Sequence, residues 1–362
     1  MNDIIERYEN IIIQIATPYN TGTGFLLKNE NLIVTNEHVV RSNQQVVITG
    51  KGIEKQIVKV LFTDPLHDLA LLQAPPEIQG LPEVKLGNKQ STKQGDEIIA
   101  IGHPFGMKYA ATQGIISNTT QESNGIFYIH HDAALNPGNS GGPLVDSEGD
   151  IIGINTFIIK SGNSVGFSLP VKYLIQNIKA FKEGGEQVGA RCLSCSNLVF
   201  EKDKKEKYCP HCGADIELPS DVADYEPIGV AKTIEAMLSE TGHPVQLARR
   251  GPFNWEIEQG SARINISYYE KTGLIIGDAY LCNLPQKNIK SLYEFLLRQN
   301  YENEGLTFSV KGKDIVLSVL IFDRYLNKET GIKLVQHLFE RADYYDDILV
   351  DKYGATWRKA EL

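Results

Sequence analysis

The sequence predicts a mainly β N-terminal half, then a short cysteine module, then an α+β domain. Three observations lead there. From about residue 10 to 170, short aliphatic or β-branched runs are punctuated by turn residues with almost no helical period. Four of the five cysteines fall between Cys192 and Cys212. Beyond about residue 228 the apolar period alternates between helix and strand. The chain has 362 residues, of which 42% are hydrophobic and 22% charged, enough for packed cores and unlike a disordered or collagen-like chain. Lys plus Arg number 36 against 45 Asp plus Glu, a net charge of −9. That balance argues against nucleic-acid backbone as the main ligand, because such binding is driven by clustered cations.

The strand runs are, in order, Ile11–Ala16, Gly24–Leu27, Leu32–Thr35, Gln45–Thr49, Ile57–Leu61, Leu69–Gln73, Glu97–Ile101, Gly114–Ser117, Phe127–His130, Leu144–Val145 and Ile151–Thr156. Short strands at this spacing suggest paired barrels or a sandwich. Val171–Lys182 places Tyr173, Leu174, Ile178 and Phe181 on one face, as a closing helix does. Gly184-Gly185 and Pro219–Pro227 read as boundaries, giving domains at 1–186, 190–218 and 222–362. In the last of these, Ile228–Thr241, Asn288–Asn300 and Lys328–Asp347 read as helices, with strands at Trp255–Tyr268, Leu274–Leu281, Thr307–Val310 and Ile315–Phe322. Acids stand near the N-terminus where a signal peptide carries a basic flank and an apolar run, so a cytoplasmic address without membrane contact is expected.

The chemistry centres on Asn136-Pro137-Gly138-Asn139-Ser140-Gly141-Gly142. A serine hydroxyl is a weak nucleophile unless an imidazole takes its proton, and the reaction needs free backbone N–H groups for the oxyanion. Glycines around Ser140 leave those groups unobstructed. A Gly/Asn-rich turn is the bland alternative, but two partners stand upstream. His38 follows an apolar strand, where a packed core histidine is the competing reading. Asp68 stands at the entry to an apolar strand, where an unpaired carboxylate is costly and a histidine N–H relieves the cost. Asp64 competes for that role, but the Pro65 after it favours a turn. Gly138-x-Ser140-x-Gly142 also matches the nucleophile elbow of α/β-hydrolases, whose acid and histidine follow the serine. Here both candidates precede it, in the order His, Asp, Ser.

With these residues quoted, residues 11 to 182 resemble the HtrA/Deg family of trypsin-like serine proteases. The matching pieces are Gly22–Phe25, Thr35–Val40, Asp64–Leu72, Gly102–Gly106, Gln113–Ser117, Asp132–Asn136, the Ser140 segment and Gly166–Pro170. The resemblance implies an all-β trypsin-like double six-stranded barrel with the active site in its cleft. It implies His38 as general base, Asp68 as its orienter, Ser140 as nucleophile, and the N–H groups of Gly138 and Ser140 as oxyanion hole. It sets Ser164 and Val165 at the specificity pocket, Val165 foremost, favouring small aliphatic side chains at the cleavage site. The partner is then a protein or peptide substrate, and the family's habit implies a homo-oligomer. Such folds also serve as binding modules, so a latent or inactive scaffold is the competing reading.

Cys192-Leu193-Ser194-Cys195 and Cys209-Pro210-His211-Cys212 form two C-x-x-C knuckles. Each presents two sulfurs on one side, the donor set of one structural Zn²⁺ in a small zinc ribbon. Redox dithiols are the alternative, but a thioredoxin-like context is missing. His211 is expected to point outward, and Cys282 to be a buried small hydrophobe. The order of elements after residue 228 resembles the YbjN and type III secretion chaperone-like group, which implies a protein-binding module. Trp255, Tyr268 and Tyr269 are read as core or interface aromatics.

Overall fold

The structure, a computed structural model, describes residues 2–76, 78, 80–87, 92–103, 109–123, 125–159, 165–204, 206–259 and 262–358. It divides into two compact units, Met1–Tyr225 and Glu226–Glu361.

The first unit opens with helix α1 (Asn2–Glu9), whose buried Ile4 and Tyr8 pack into the core below; no helix was expected there. Six strands follow: β1 (Ile12–Ala16), β2 (Thr21–Leu27), β3 (Leu32–Thr35), β4 (Gln45–Gly50), β5 (Ile53–Asp64) and β6 (Leu69–Gln73). They run in the order β5-β4-β1-β2-β3-β6, and pairing of β5 with β6 closes the ring. The one-turn helix α2 (Glu37–Val40) leaves the end of β3. Strand β3 is buried at every position, so both of its faces are covered and it reads as a continuous apolar run rather than a strict alternation. Ile15, Phe25, Ile33, Val34, Ile48, Phe62 and Leu71 are all essentially inaccessible, and Ile33 and Val34, adjacent on β3, lie on its opposite faces.

The second barrel is built from β7 (Glu97–Gly102), β8 (Ala110–Ser123), β9 (Ile126–His131), β10 (Pro143–Asp146), β11 (Ile151–Ile159) and β12 (Val165–Pro170). It is closed in the order β10-β11-β12-β9-β8-β7. Two closed six-stranded antiparallel barrels agree with the expectation, with one addition. Strand β12 was not among the predicted runs, because Gly166 and Ser168 interrupt its apolar pattern. Both are needed for packing: a Cβ on Gly166 would run into the His131 ring, and Ser168 is fully buried in a polar cluster. Helix α3 (Val171–Glu183) then closes the fold with Leu174 and Phe181 buried.

The chain next adds β13 (Gly189–Arg191) and β14 (Leu198–Phe200), which pair with each other. Strand β13 lies parallel to the end of β5, setting Gly189 opposite Phe62 and Ala190 opposite Thr63. The cysteine segment therefore extends the first barrel's sheet. It has a small core of Ala190, Cys192, Val199, Cys209, Ile216 and Leu218.

The second unit contains α4 (Gly229–Glu240), α5 (Val245–Ala248), β15 (Asn254–Gln259), β16 (Ala262–Tyr269), β17 (Leu274–Asn283), α6 (Ile289–Glu302), β18 (Leu306–Lys311), β19 (Asp314–Phe322), α7 (Lys328–Tyr353) and β20 (Thr356–Trp357). The antiparallel sheet runs β15-β16-β17-β19-β18, with β20 on β17. The single strand expected over Trp255–Tyr268 is a hairpin, β15 and β16 pairing Gln259 with Ala262. The buried positions shift from Trp255 and Ile257 on one arm to Ile264 and Ile266 on the other, an odd step that marks the turn between them. Trp255 is buried and donates through Nε1 to Glu235 Oε1 at 3.2 Å. Cys282 is fully buried, and burial pushes its thiol up to about 12. Among the described residues no helix is long and apolar enough to cross a membrane.

Inside the second barrel, Ser168 Oγ donates to Asn155 Oδ1 at 3.0 Å, and His131 Nε2 lies 3.0 Å from Ser168 Oγ. Burial lowers His131 to about 4, so it stays neutral while an unfolded histidine titrates near 6.5. Between those values the unfolded chain binds the extra proton, so stability is full above pH ~6.5 and falls as pH drops toward 4. Denaturation midpoints measured across that window should decline, and His131→Gln should flatten the decline.

Candidate active site

His38 sits on α2, just past the end of β3, and Asp68 occupies the turn between β5 and β6. The His38 Nδ1 atom lies 2.8 Å from Asp68 Oδ2 and 3.0 Å from Oδ1. The His38 backbone N–H donates to Asp68 Oδ1 at 2.9 Å. With Nδ1 carrying the proton toward the carboxylate, Nε2 is left as the acceptor. The imidazole is 38% exposed, so a substrate can reach it. Asp68 holds this geometry in the left-handed region, φ 52°. That backbone is unusual for a residue with a Cβ, and aspartate tolerates it better than most. It is held by a further bond, Asn36 Nδ2 to the Asp68 carbonyl at 2.7 Å.

Ser140 lies on the loop between β9 and β10. Gly138 has φ 101° and Gly141 φ 87°, conformations only glycine adopts without strain. A Cβ on Gly141 would also strike the Thr23 carbonyl and the Thr35 hydroxyl. The serine loop thus abuts the residues that lead into His38. Among the described residues, the N–H groups of Gly138 and Ser140 donate to no acceptor, as an oxyanion site requires. The Ser140 hydroxyl donates to the Thr156 carbonyl at 3.2 Å. No hydrogen bond joins it to His38 among the described residues.

Thr23 on β2 is the residue that the sequence reading passed over. Its hydroxyl donates to the Gly138 carbonyl at 2.6 Å and accepts the His103 N–H at 2.8 Å. Its N–H donates to the Ser140 carbonyl at 2.9 Å, and its own carbonyl accepts from Thr35 Oγ1 at 2.6 Å. The hydroxyl and N–H of this fully buried threonine hold the serine loop of the second barrel against the first, and its carbonyl ties it to Thr35 within the first. The only trace in the sequence is its place within Gly22-Thr23-Gly24-Phe25. Thr156 and Asn36 were missed likewise; Asn36 Nδ2 lies 3.5 Å from Thr156 Oγ1.

Asp64 does cap a turn, accepting the N–H groups of Leu66 and His67 on Oδ1. It also pairs with His67 Nδ1 at 2.6 Å and Arg191 Nε at 2.8 Å. Burial alone would raise its carboxyl, but His67 and Arg191 outweigh burial and hold it below the usual carboxylate range. The fully buried His131 is a barrel-packing residue out of reach of substrate. Of the expected specificity pocket, Ser164 lies outside the described residues. The Val165 backbone pairs with Ile159, and its side chain lies outside what the structure describes.

The sulfur atoms of Cys192, Cys195, Cys209 and Cys212 all lie within 4.8 Å of one another. Cys192 and Cys212 are 3.8 Å apart, Cys195 and Cys209 3.7 Å. A tetrahedron with metal–sulfur bonds of ~2.3 Å has edges of ~3.8 Å, so the four donors fit one such ion. The Asn197 backbone N–H, with its side-chain amide, pulls the Cys195 thiol down to about 6. The four cysteines are therefore near one another and able to bind a metal.

Residues 22–154 match the trypsin-like peptidase domain family. Two proteins named "Probable periplasmic serine endoprotease DegP-like" are similar to this chain. The one from Marinomonas sp. (strain MWYL1) is 36% identical over 171 residues, 46% of this chain and 36% of that protein. The one from Chlamydia pneumoniae is 40% identical over 161 residues, 43% of this chain and 33% of that protein. The crystal structure of the serine endoprotease from Yersinia pestis aligns at 27% identity and TM-score 0.46, covering 52% of this chain and 68% of that one. The chain thus spans about a third of the length of the curated relatives it matches. Within the first unit, residues 22–154 are therefore similar to trypsin-like peptidase domains, and the curated proteins that this part of the chain resembles are named DegP-like serine endoproteases. The expected cytoplasmic address is overturned, because these relatives are named periplasmic enzymes. Residues on which that expectation leaned are part of the fold: Ile4 is buried, and the Ile5 carbonyl accepts from the Tyr109 hydroxyl at 2.8 Å.

Removing the Thr23 hydroxyl frees the Gly138 carbonyl and with it the serine loop. Thr23→Ala should slow covalent labelling of Ser140 by a fluorophosphonate about 10-fold, the equivalent of one lost buried hydrogen bond. Thr23→Ser, which keeps the hydroxyl, should retain most of the rate.

Proposed function

We propose that this protein is a serine endopeptidase that hydrolyses peptide bonds of protein substrates through His38, Asp68 and Ser140. The observation that carries the proposal is the two-point pairing of His38 with Asp68, together with a serine whose loop is pinned through Thr23 to β2, the strand paired with the one leading into that histidine. As Ser140 Oγ attacks the scissile carbonyl carbon, His38 Nε2 takes its proton. Asp68 stabilises the imidazolium that forms. The N–H groups of Gly138 and Ser140 receive the oxyanion. Collapse of the tetrahedral intermediate breaks the C–N bond, and His38 returns the proton to the leaving amine. Water, deprotonated by the same nitrogen, then releases the acyl group from Ser140. Val165 and the lack of any acid in Asn163–Pro170 favour cleavage after small aliphatic residues. The names of the relatives supply the proposed periplasmic address.

A second reading is favoured by one observation. The Ser140 hydroxyl is committed to Thr156 rather than to His38. That arrangement suits a latent enzyme in which the hydroxyl turns to the imidazole when a substrate or partner docks. The second unit is the proposed partner-binding module, in line with its YbjN/type III secretion chaperone-like order of elements. On α6, Ile289, Tyr293, Leu297 and Tyr301 are exposed at intervals of four residues, an apolar stripe suited to protein contact. Cys192, Cys195, Cys209 and Cys212 are proposed to hold one structural Zn²⁺, which supplies cross-linking to a module too small for a large core.

Ser140→Ala and His38→Ala should each lower hydrolysis of an unfolded protein by at least ~1,000-fold while the far-ultraviolet spectrum is kept. Undiminished turnover in Ser140→Ala refutes the mechanism. For the metal, elemental analysis should find one zinc per chain in the native protein and none in Cys209→Ser.

A further inference from the structure

We propose that Arg191 is a positioning residue that couples the four-cysteine cluster to the carboxylate of Asp68, an inference that rests on the protease reading above. The guanidinium reaches three separate elements. Its Nε donates to Asp64 Oδ2 at 2.8 Å, its Nη2 to Asn177 Oδ1 on α3 at 3.1 Å, and its Nη1 to the Ser196 carbonyl at 2.8 Å.

The Ser196 end belongs to the knuckle. Ser196 directly follows Cys195, its N–H donates to the Cys192 carbonyl at 2.8 Å, and its φ is 60°. Its carbonyl is offered to Arg191 only while the turn around the two sulfurs is formed. The Asp64 end belongs to the active site. Asp64 spends its other oxygen on the N–H groups of Leu66 and His67, which shapes the turn that delivers Asp68. Because Asp68 stands at φ 52°, a small change in that turn swings its carboxylate off His38. The backbone follows the same route: β13 pairs with Phe62 and Thr63, the two residues before Asp64.

Arg191 is not what keeps the module attached. Phe200 lies 6.3 Å from Phe62, which lies 6.1 Å from Phe181, centroid to centroid, and all three are buried. The module also has its own apolar cluster. Cutting the Arg191 links therefore leaves the module seated but severs it from the Asp64 turn. Asp64 is inaccessible, so water does not replace the bond it loses when Arg191 is substituted.

The test uses the full chain, zinc-loaded and after treatment with EDTA. Two readouts are taken: the rate of Ser140 acylation by a fluorophosphonate as a function of pH, and the low-field proton resonance of His38 Nδ1–H. In the native protein, EDTA should slow acylation roughly 10- to 100-fold, the scale of a misplaced catalytic group, and broaden the His38 resonance. Arg191→Gln should show both losses while still holding one zinc per chain, and EDTA should add nothing further. Arg191→Lys keeps a charge on Asp64 but not the fork to Ser196, so it should be faster than Arg191→Gln yet equally indifferent to EDTA. Asp64→Asn cuts the link from the barrel side without touching the knuckle, and it tests the coupling if Arg191→Gln loses zinc. Multiplicative effects of EDTA and either substitution, or a His38 resonance unmoved by both, overturn the proposal. Should Ser140 never be labelled, the protease reading fails while the His38 resonance still decides the coupling.

Discussion

The candidate active site depends on a junction between two barrels that each fold around their own apolar interior. His38 and Asp68 come from the first barrel and Ser140 from the second. Thr23 spans the gap with three hydrogen bonds, to the carbonyls of Gly138 and Ser140 and from the N–H of His103. Because the residue is fully buried, each of these bonds replaces one that water cannot supply. The glycine at 141 is the steric counterpart: its missing Cβ is what lets the serine loop come against Thr23, Thr35 and Asn36. Polar satisfaction and close backbone approach thus act at one place, and the reacting groups inherit their distances from it.

Two aspartates of the turn from β5 to β6, Asp64 and Asp68, each pair with a histidine. Asp68 pairs with the half-exposed His38 of α2, while the fully buried Asp64 pairs with the mostly buried His67. Solvent access separates their roles. The outer pair keeps an imidazole nitrogen where a substrate can meet it. The inner pair, locked by Arg191, shapes the turn. A buried ion pair of this kind adds little net stability but is costly to break, so it suits a part whose task is to define geometry.

The cysteine segment shows how a short stretch of chain becomes part of a larger fold. Its strands extend the first barrel's sheet beside β5, and Phe200 reaches the core shared by Phe62 and Phe181. What it lacks is enough apolar area to order its own turns, and four sulfurs at tetrahedral spacing are the means to do so. The second unit is organised differently. A buried charge is neutralised internally there: Arg249 grips Glu235 with two bonds at 2.9 and 2.7 Å, and Trp255 donates to the same carboxylate.

Much of this was legible from residue order. Strand runs such as Leu32–Thr35 and Leu69–Gln73 coincide with the observed elements, because these strands are covered on the outer face as well as enclosed on the inner one, which leaves unbroken apolar stretches. The nucleophile segment and the two knuckles were readable because their chemistry is local: glycines beside a serine, two sulfurs on one turn. Strand β12 was not, since Gly166 and Ser168 interrupt its apolar pattern, and the β15–β16 hairpin reads as one strand although its buried positions shift by an odd step, from Ile257 to Ile264. The partners across the fold were beyond reach in the same way. Thr23 meets Gly138 across 115 positions and Arg191 meets Asp64 across 127. Residue order set which groups exist and which turns they form. Barrel closure, by bringing distant strands to hydrogen-bonding distance, decided which of them meet.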